Sequence, residues 1–353
     1  PDVAVVPSEH FNTVLYTGTD ATNSTHAISG IGFSPSLVWT KDRDAAYGHY
    51  LFDAVRGTGV TKGLRSNSTA AEGMANQSYD ALSSFDSDGF SITGGAFGSL
   101  YQDRNNASYV AWNWKANGSG SSNTNGSINS TVSANVDAGF SIVSWTGTTA
   151  TTATIGHGLS KAPEMFIFKP RNASDNWMTY QKTLGNGVNS AIYLNLTNAS
   201  STDGGTGNYW NNTAPSSTLI SFGDWHNTDA QNYIGYAFHS VDGYSKVGSY
   251  TGNGNADGTF VYTGFRPAYV MIKKTNAANN WVIIDNTRAP YNVTKAALYA
   301  DNTSYEDAAS TQSIDLLSNG FKQRNSANAQ NTSGGNYIFL AFSESPFKYS
   351  NAR

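Results

Sequence analysis

Three stretches of this chain align without a gap. They are FSPSLVWTKDRDAAYGHYLFDAVRG (33–57), SKAPEMFIFKPRNASDNWMTYQKTLG (160–185) and FRPAYVMIKKTNAANNWVIIDNTRAP (265–290). Pro35, Pro163 and Pro267 each precede a lysine by six positions: Lys41, Lys169 and Lys273. Eight residues further stand His49, Trp177 and Trp281, and four beyond those Asp53, Gln181 and Asp285. A sequence that repeats in this way must fold as copies of one unit, because each copy carries the same apolar pattern to bury.

The flanks repeat as well. FNTVLYTG (11–18), FSIVSWTG (140–147) and YSKVGSYTG (244–252) open the copies, and YVAWNW (109–114), YIGYAF (233–238) and YIFLAF (337–342) close them. Short apolar runs lie between clusters of Gly, Asn, Ser and Thr, which predicts strands of about five residues joined by turns. No segment sustains a helical period. The expected fold is all-β, with three tandem antiparallel β-sandwich modules of jelly-roll type. The boundaries read as a first module over 1–117, a Gly/Ser/Asn-rich linker over 118–135, a second module over 136–240 and a third over 241–353. The second and third run together without pause and are expected to pack tightly, with the first freer unless the linker lies along a neighbour.

Charged residues make up 13% of the chain and the net charge is −4, with no basic block, which argues against nucleic acid or anionic membrane as partners. There is no cysteine, so disulfides, thiolate zinc sites and cysteine nucleophiles drop out together. No stretch has the length of a membrane span. The first residues lack signal-like regions, and Pro1 reads as a processed or trimmed end. Sequons at Asn23, Asn67, Asn129, Asn195 and Asn302 are what an Asn/Ser/Thr-rich composition produces by chance.

Catalytic machinery is poorly supplied, and the expectation is a protein that is not an enzyme. The five glutamates, Glu9, Glu72, Glu164, Glu306 and Glu344, are far apart in sequence, whereas glycosidases work with two carboxylates across one cleft. The six histidines show no zinc spacing, and no nucleophile elbow or phosphate loop is present. No metal and no cofactor is expected. Asp86-Ser87-Asp88-Gly89 starts like a calcium loop but continues without an acid, so it reads as a turn. Asp53 and Arg56 recur as Asp285 and Arg288, and both change together in the second copy, to Gln181 and Leu184. Joint loss predicts that the two touch, as a partly buried salt bridge at a strand end.

The tryptophans separate by position. Trp112 and Trp114 alternate along a strand that is apolar in every copy and are expected in the core, and Trp39, Trp145, Trp177 and Trp281 also hold recurrent apolar positions. Trp210 and Trp225 sit in polar loops of the second copy, YWNNTAP and GDWHNTDA, without aromatic counterparts. An exposed ring beside amides and carboxylates suits sugar stacking, which makes Trp210, Trp225, Asn211, Asp224 and His226 the candidate glycan-binding residues. The competing reading is an aromatic that plugs a module interface.

Longer motifs carry a family resemblance. YVAWNWKANG (109–118), the GSI…STVSAN…AGFSIVSWTG run (126–147), YWNNTAP (209–215), GYSKVGSYTGNG (243–254), TGFRPAYVMIKK (263–274) and AFSESPFK (341–348) resemble a repetitive protein family of marine bacteriophages, of the cyanophage type. The resemblance covers nearly the whole chain. It implies a virion or tail-fibre-like component of lectin-like fold, carried on the extracellular particle after assembly in the host cytoplasm. The partners it implies are other virion proteins, host cell-surface glycan and further copies of itself. It transfers no catalytic residue. A capsid-decorating or fibre-shaft protein without glycan affinity, and a polysaccharide depolymerase, are the alternatives.

Overall fold

The computed structural model describes residues 5–20, 22–73, 80–95, 101–307 and 311–345; Pro1 and the motif end at 346–353 lie outside them. The protein is all-β, and its named strands pair antiparallel. Three large sheets carry the repeat, each with the same four strands in the same order. In the first copy the order is Phe11–Thr17, Ser108–Trp114, Leu37–Asp42, Tyr50–Asp53. The second has Phe140–Thr146, Asn232–Phe238, Met165–Pro170, Met178–Gln181, and the third Ser245–Thr251, Asn336–Ser345, Arg266–Lys274, Trp281–Asp285. The opening and closing runs of each copy, distant in sequence, are therefore neighbours.

Each closing strand is buried on both faces. Tyr109 and Ala111 face a core under a small sheet built from Thr25–Ser29, Gly89–Thr93 and Ala81–Asp86. Val110, Trp112 and Trp114 face the opposite way. Tyr233 and Ala237 in the second copy, and Tyr337, Phe339 and Ala341 in the third, likewise serve local cores under the small sheets Thr152–Gly156/Leu219–Gly223 and Phe260–Tyr262/Gly320–Gln323/Ile314–Leu317. The alternate residues of all three strands meet in one central core. Period-two alternation normally separates core from solvent; here it separates two cores.

Aromatic rings close that centre. Trp114 meets Phe140 of the second copy at 6.5 Å, Phe238 meets Phe342 of the third at 6.1 Å, and Phe342 meets Trp114 at 5.8 Å. These three residues, Trp114, Phe238 and Phe342, hold one position of the repeat, so the contacts run round a pseudo-threefold axis. A cavity of 20 Å³ lies among Trp39, Trp114, Trp177, Tyr236, Tyr269 and Leu340. Its walls expose only apolar surface, so a water there would find no partner.

The polar bonds between copies obey the same rotation. His49 Nε2 donates to Tyr299 O (2.8 Å), Trp177 Nε1 to Arg65 O (2.8 Å) and Trp281 Nε1 to Tyr193 O (2.9 Å). Glu72 N donates to Arg171 O, Ser200 N to Thr275 O and Glu306 N to Arg43 O. Asp53 pairs with Arg56 (2.5 Å) and Asp285 with Arg288 (2.6 Å), both pairs buried, as their joint loss in the second copy predicts. Each pair extends across an interface. Arg56 also holds Glu72, which holds Arg171 of the second copy; Arg288 holds Glu306, which holds Arg43 of the first. Asp53 further accepts from Tyr236 OH (2.8 Å), and Asp285 from Trp112 Nε1 (3.0 Å). The third interface has no ionic cluster of this kind among the described residues. Gln181, Leu184, Ser200 and Thr275 replace the ions, and Leu340 stands where Trp112 and Tyr236 supply a donor.

Residues 118–135 are not a free linker. Ser121–Asn123 and Ser130–Asn135 form a hairpin that extends the second large sheet beside Phe140–Thr146. Ile128 and Val132 enter the second copy's core, while Ser130 Oγ donates to Gly156 O and Asn135 Nδ2 to Lys115 O. Two apolar anchors suffice at a sheet edge, because backbone pairing there makes no demand on the outward side chains. The first copy is correspondingly not looser than the others: all three share the central core.

Three outcomes follow. Trp114→Ala is expected to lose about 3–5 kcal/mol of stability in denaturant unfolding. Glu306→Gln leaves Arg288 with Asp285 alone and takes away the ion pair of Arg43, so one positive charge in the cluster is uncompensated, at an expected cost of about 3 kcal/mol; replacing the whole cluster with its neutral counterpart (Arg43→Thr, Asp285→Gln, Arg288→Leu, Glu306→Ser) should cost less than that single change. Burial holds His49 well below the ordinary histidine value of 6.5, and its Nδ1 accepts from Trp39 Nε1 at 2.9 Å. Below pH 6.5 the unfolded chain takes up a proton that folded His49 refuses, so stability is full above that pH and falls beneath it. Burial raises the Glu306 carboxyl, but Arg43 and Arg288 outweigh that and hold it below its ordinary 4.5, so a second loss follows as pH falls through the folded value. A melting temperature flat between about pH 7 and pH 4 would contradict the His49 assignment.

Candidate functional site

Outside the shared core the copies differ, and the differences are concentrated on the small sheets. In the third copy Phe260 and Tyr262 lie on an edge strand that pairs only with Gly320–Gln323, with Val261 turned inward between them. Phe260 is 44% and Tyr262 61% exposed. The matching outward positions are Ala27 and Ser29 in the first copy and Thr154 and Gly156 in the second, by the register of each small sheet. The Phe260 ring lies over Gly320: a Cβ there would come within 3.0 Å of Cζ and 3.1 Å of Cε2. Tyr262 comes back over Gly264, its hydroxyl 3.6 Å from where a Cβ would stand. At Gly320 the Val261 carbonyl already excludes a side chain, and at Gly264 (φ 90°) the left-handed backbone favours glycine, so both glycines serve the backbone as the rings lie beside them.

Charged groups border the rings. Lys322 sits opposite Phe260 in register, and Asp315 opposite Lys322. Asp257 binds Lys322 (2.7 Å) and Arg324 (2.9 Å), and Arg324 reaches Asp315 (3.4 Å). A hydrogen bond from Lys322, with the charge of both cations, holds the Asp257 carboxyl below its ordinary value. Flat rings beside hydrogen-bonding groups offer a sugar both a stacking surface and partners for its hydroxyls. Reading the sequence alone missed this pair, though the signal was present: two strand positions polar or small in two copies and aromatic in the third.

In the second copy the candidate residues divide. Trp225, on the 3-10 turn Asp224–His226, is 53% exposed and meets Tyr209 edge-on at 5.3 Å. Asp224 beside it is also exposed. His226 lies behind, stacked on Tyr209 (5.8 Å) and against Phe168, and burial alone pushes it down to about 3. A neutral imidazole there supports Tyr209 and carries no proton chemistry near neutral pH. Asn211 takes a left-handed conformation (φ 50°) and is half-buried. Trp210 is a correction: it is 1% exposed, donates Nε1 to Ser190 O (2.9 Å) and packs on Phe168, Tyr180 and Phe222. The second small sheet has two strands where the others have three, and Tyr209 and Trp210 pack in the core beneath it. Trp210 packs within the second copy's own core and not at an interface between copies, and no sugar can stack on it.

The remaining polar groups have structural work. Asn67, Asn195 and Asp301 each accept the backbone N–H of His49, Trp177 or Trp281, so the buried Asn195 is a strand tie and not an open sequon. Lys169 and Lys273 bond loop carbonyls of the preceding copy, at Thr69 O and Thr197 O. Asp88 accepts from Gly30 and Gly32, and Asp86 from Ser84 and Ser91, which makes this loop a turn. Among the described residues no group of three His, Asp or Glu could hold a metal ion, and no helix is long and apolar enough to cross a membrane.

Comparison with curated proteins and with solved structures finds no match. One family model, described as a domain of unknown function (DUF7483), matches residues 6–346, a span that takes in all three copies and both aromatic surfaces. The chain belongs to that family.

Proposed function

We propose that this protein is a non-enzymatic component of a bacteriophage particle, a tail fibre or other appendage, that binds host surface glycan through exposed rings. In this reading each copy is a lectin-like sandwich, and the three are fused into a rigid hub whose outer surfaces do the binding. The observation that carries it is the pair Phe260 and Tyr262, laid over glycines on a polar sheet where the other copies have small or hydroxyl side chains. Trp225 supplies a second surface of the same kind. The phage assignment is supported by the motif resemblance along the chain. Binding without catalysis is supported by the fate of the acids: Asp53, Asp285, Glu72 and Glu306 are all engaged in the ionic clusters between copies.

The architectural reading has one observation of its own. The inner faces that three separate chains would bury against one another are buried here within one chain. Assembly with further copies or other virion proteins therefore proceeds through outer surfaces, and a partner of threefold symmetry would find three similarly disposed flanks.

Phe260→Ser with Tyr262→Ser is expected to reduce binding to host cells or a glycan array by about tenfold or more, and Trp225→Ala to reduce it less. The melting temperature should shift little, since these rings are exposed. Unchanged binding by the triple variant would reject the glycan reading and leave the architectural one. A large fall in melting temperature would show the rings to be packing residues.

A further inference from the structure

A polar cleft of 680 Å³ opens at the end of the third copy's small sheet, within the range of small-ligand sites. Its walls come from Asn279 and Asn280 after Arg266–Lys274, from Lys295, and from Arg324, Asn325 and Asn328 after Gly320–Gln323. No carboxylate and no aromatic ring lines it among the described residues. The wall is held firmly. Asn279 N donates to Thr197 O, its carbonyl accepts from Lys273 Nζ, and Asn325 Nδ2 donates to Ser313 O and Gln330 Oε1. Asn279 Nδ2 nevertheless lies buried with no hydrogen-bond partner, an uncompensated donor in a wall otherwise well bonded. Arg324 is neutralised by Asp257 and Asp315, whereas exposed Lys295 has no ion pair among the described residues.

We propose that this cleft binds a carboxylated sugar residue of the hexuronate type. Asn280 and Asn328 use their Oδ1 atoms within the protein, accepting from Asn302 Nδ2 and from Lys274 Nζ and Thr332 Oγ1, which leaves their Nδ2 groups to donate to sugar hydroxyls. Lys295 supplies one uncompensated positive charge, which matches one carboxylate, while the acids nearest the wall, Asp257 and Asp315, are tied to Arg324 and Lys322. The lack of rings excludes stacking, so the ligand is read by hydrogen bonds alone. The cleft also continues the ring surface, because Arg324 lines it while joining Asp257 and Lys322 beside Phe260. This inference rests on the glycan reading above and names the sugar class: an acidic polysaccharide that stacks on Phe260 and Tyr262 and places a uronate in the cleft.

The test is a titration of the full chain, followed by amide NMR shifts, with glucuronate or galacturonate, the matching neutral hexose, and acetate. The uronates are expected to perturb the amides of Asn279, Asn280 and Asn328 and to bind at least about tenfold more tightly than either comparison ligand. Lys295→Met should remove that preference without moving the melting temperature, and Asn279→Ala should weaken the uronate and the hexose alike. Uronate no tighter than acetate would mean a bare anion site; no tighter than hexose would mean that Lys295 selects nothing; either overturns the proposal. Phe260→Ser with Tyr262→Ser separates the two readings. If uronate binding survives in that variant while an acidic polysaccharide binds as well as it does to the parent chain, the ring reading fails and the cleft stands. If the polysaccharide is lost and the uronates never bound, the cleft fails and the rings stand.

Discussion

Everything in this protein depends on strands that are buried on both faces. A closing strand such as Ser108–Trp114 sends Tyr109 and Ala111 into a local core and Val110, Trp112 and Trp114 into a common one. Three such strands, each with its sheet, enclose the central cluster. Removing any copy would expose a wall of Trp, Tyr, Phe and Leu side chains that no small sheet covers. The copies are therefore units of sequence and of local architecture, but the shared core couples their stability, unlike a solenoid whose repeats touch only their neighbours.

The interfaces show how such a ring stays specific. Apolar packing alone would tolerate rotation or slippage of one copy against the next. Directional bonds from His49, Trp177 and Trp281 to equivalent carbonyls set the rotation at every interface. The ionic clusters appear at only two interfaces, and their pattern has a local logic. A buried carboxylate is tolerable where the neighbour presents a donor, as Trp112 does to Asp285 and Tyr236 to Asp53. At the third interface the neighbour presents Leu340. An aspartate there would lose that hydrogen bond, and the site holds Gln181, which bonds Gly248 O and Thr183 instead. With the carboxylate gone, a buried arginine at 184 would have no counter-charge, and it is leucine. The same holds for Ser200 and Thr275. One change of donor accounts for the whole set.

Much of this was legible in the sequence. The ungapped offsets identified the copies and their strands, and the joint change at Gln181 and Leu184 identified an ion pair in each of the other two copies. What escaped was the partner across each interface, because an offset within a copy carries no information about which copy rotates onto which. Trp112 and Trp114 read as core, yet nothing in the alternation distinguishes one core from two. The hairpin in 118–135 escaped because edge strands need few apolar residues. Trp210 escaped because a polar loop looks exposed even when its one large ring turns inward to fill a sheet that lacks a strand. Phe260 and Tyr262 escaped because an aromatic in a strand is read as core unless its inward neighbour, Val261, is identified first.

The shared core also decides where function can arise. A residue on an inner face answers to two neighbours and an axis, so divergence there must be concerted, as the third interface shows. A residue on the outer face of a small sheet has fewer partners to satisfy. Ala27 and Phe260 occupy one such position and are exposed there, whereas Thr154 at the same position is tied to Ser127 of the hairpin. The rings of the third copy are of this kind, and Trp225 stands on an exposed turn that follows the second small sheet. A threefold scaffold with unlike flanks presents different surfaces in fixed directions; under the proposed glycan binding, weak contacts at separate sites would act on one extended polymer together.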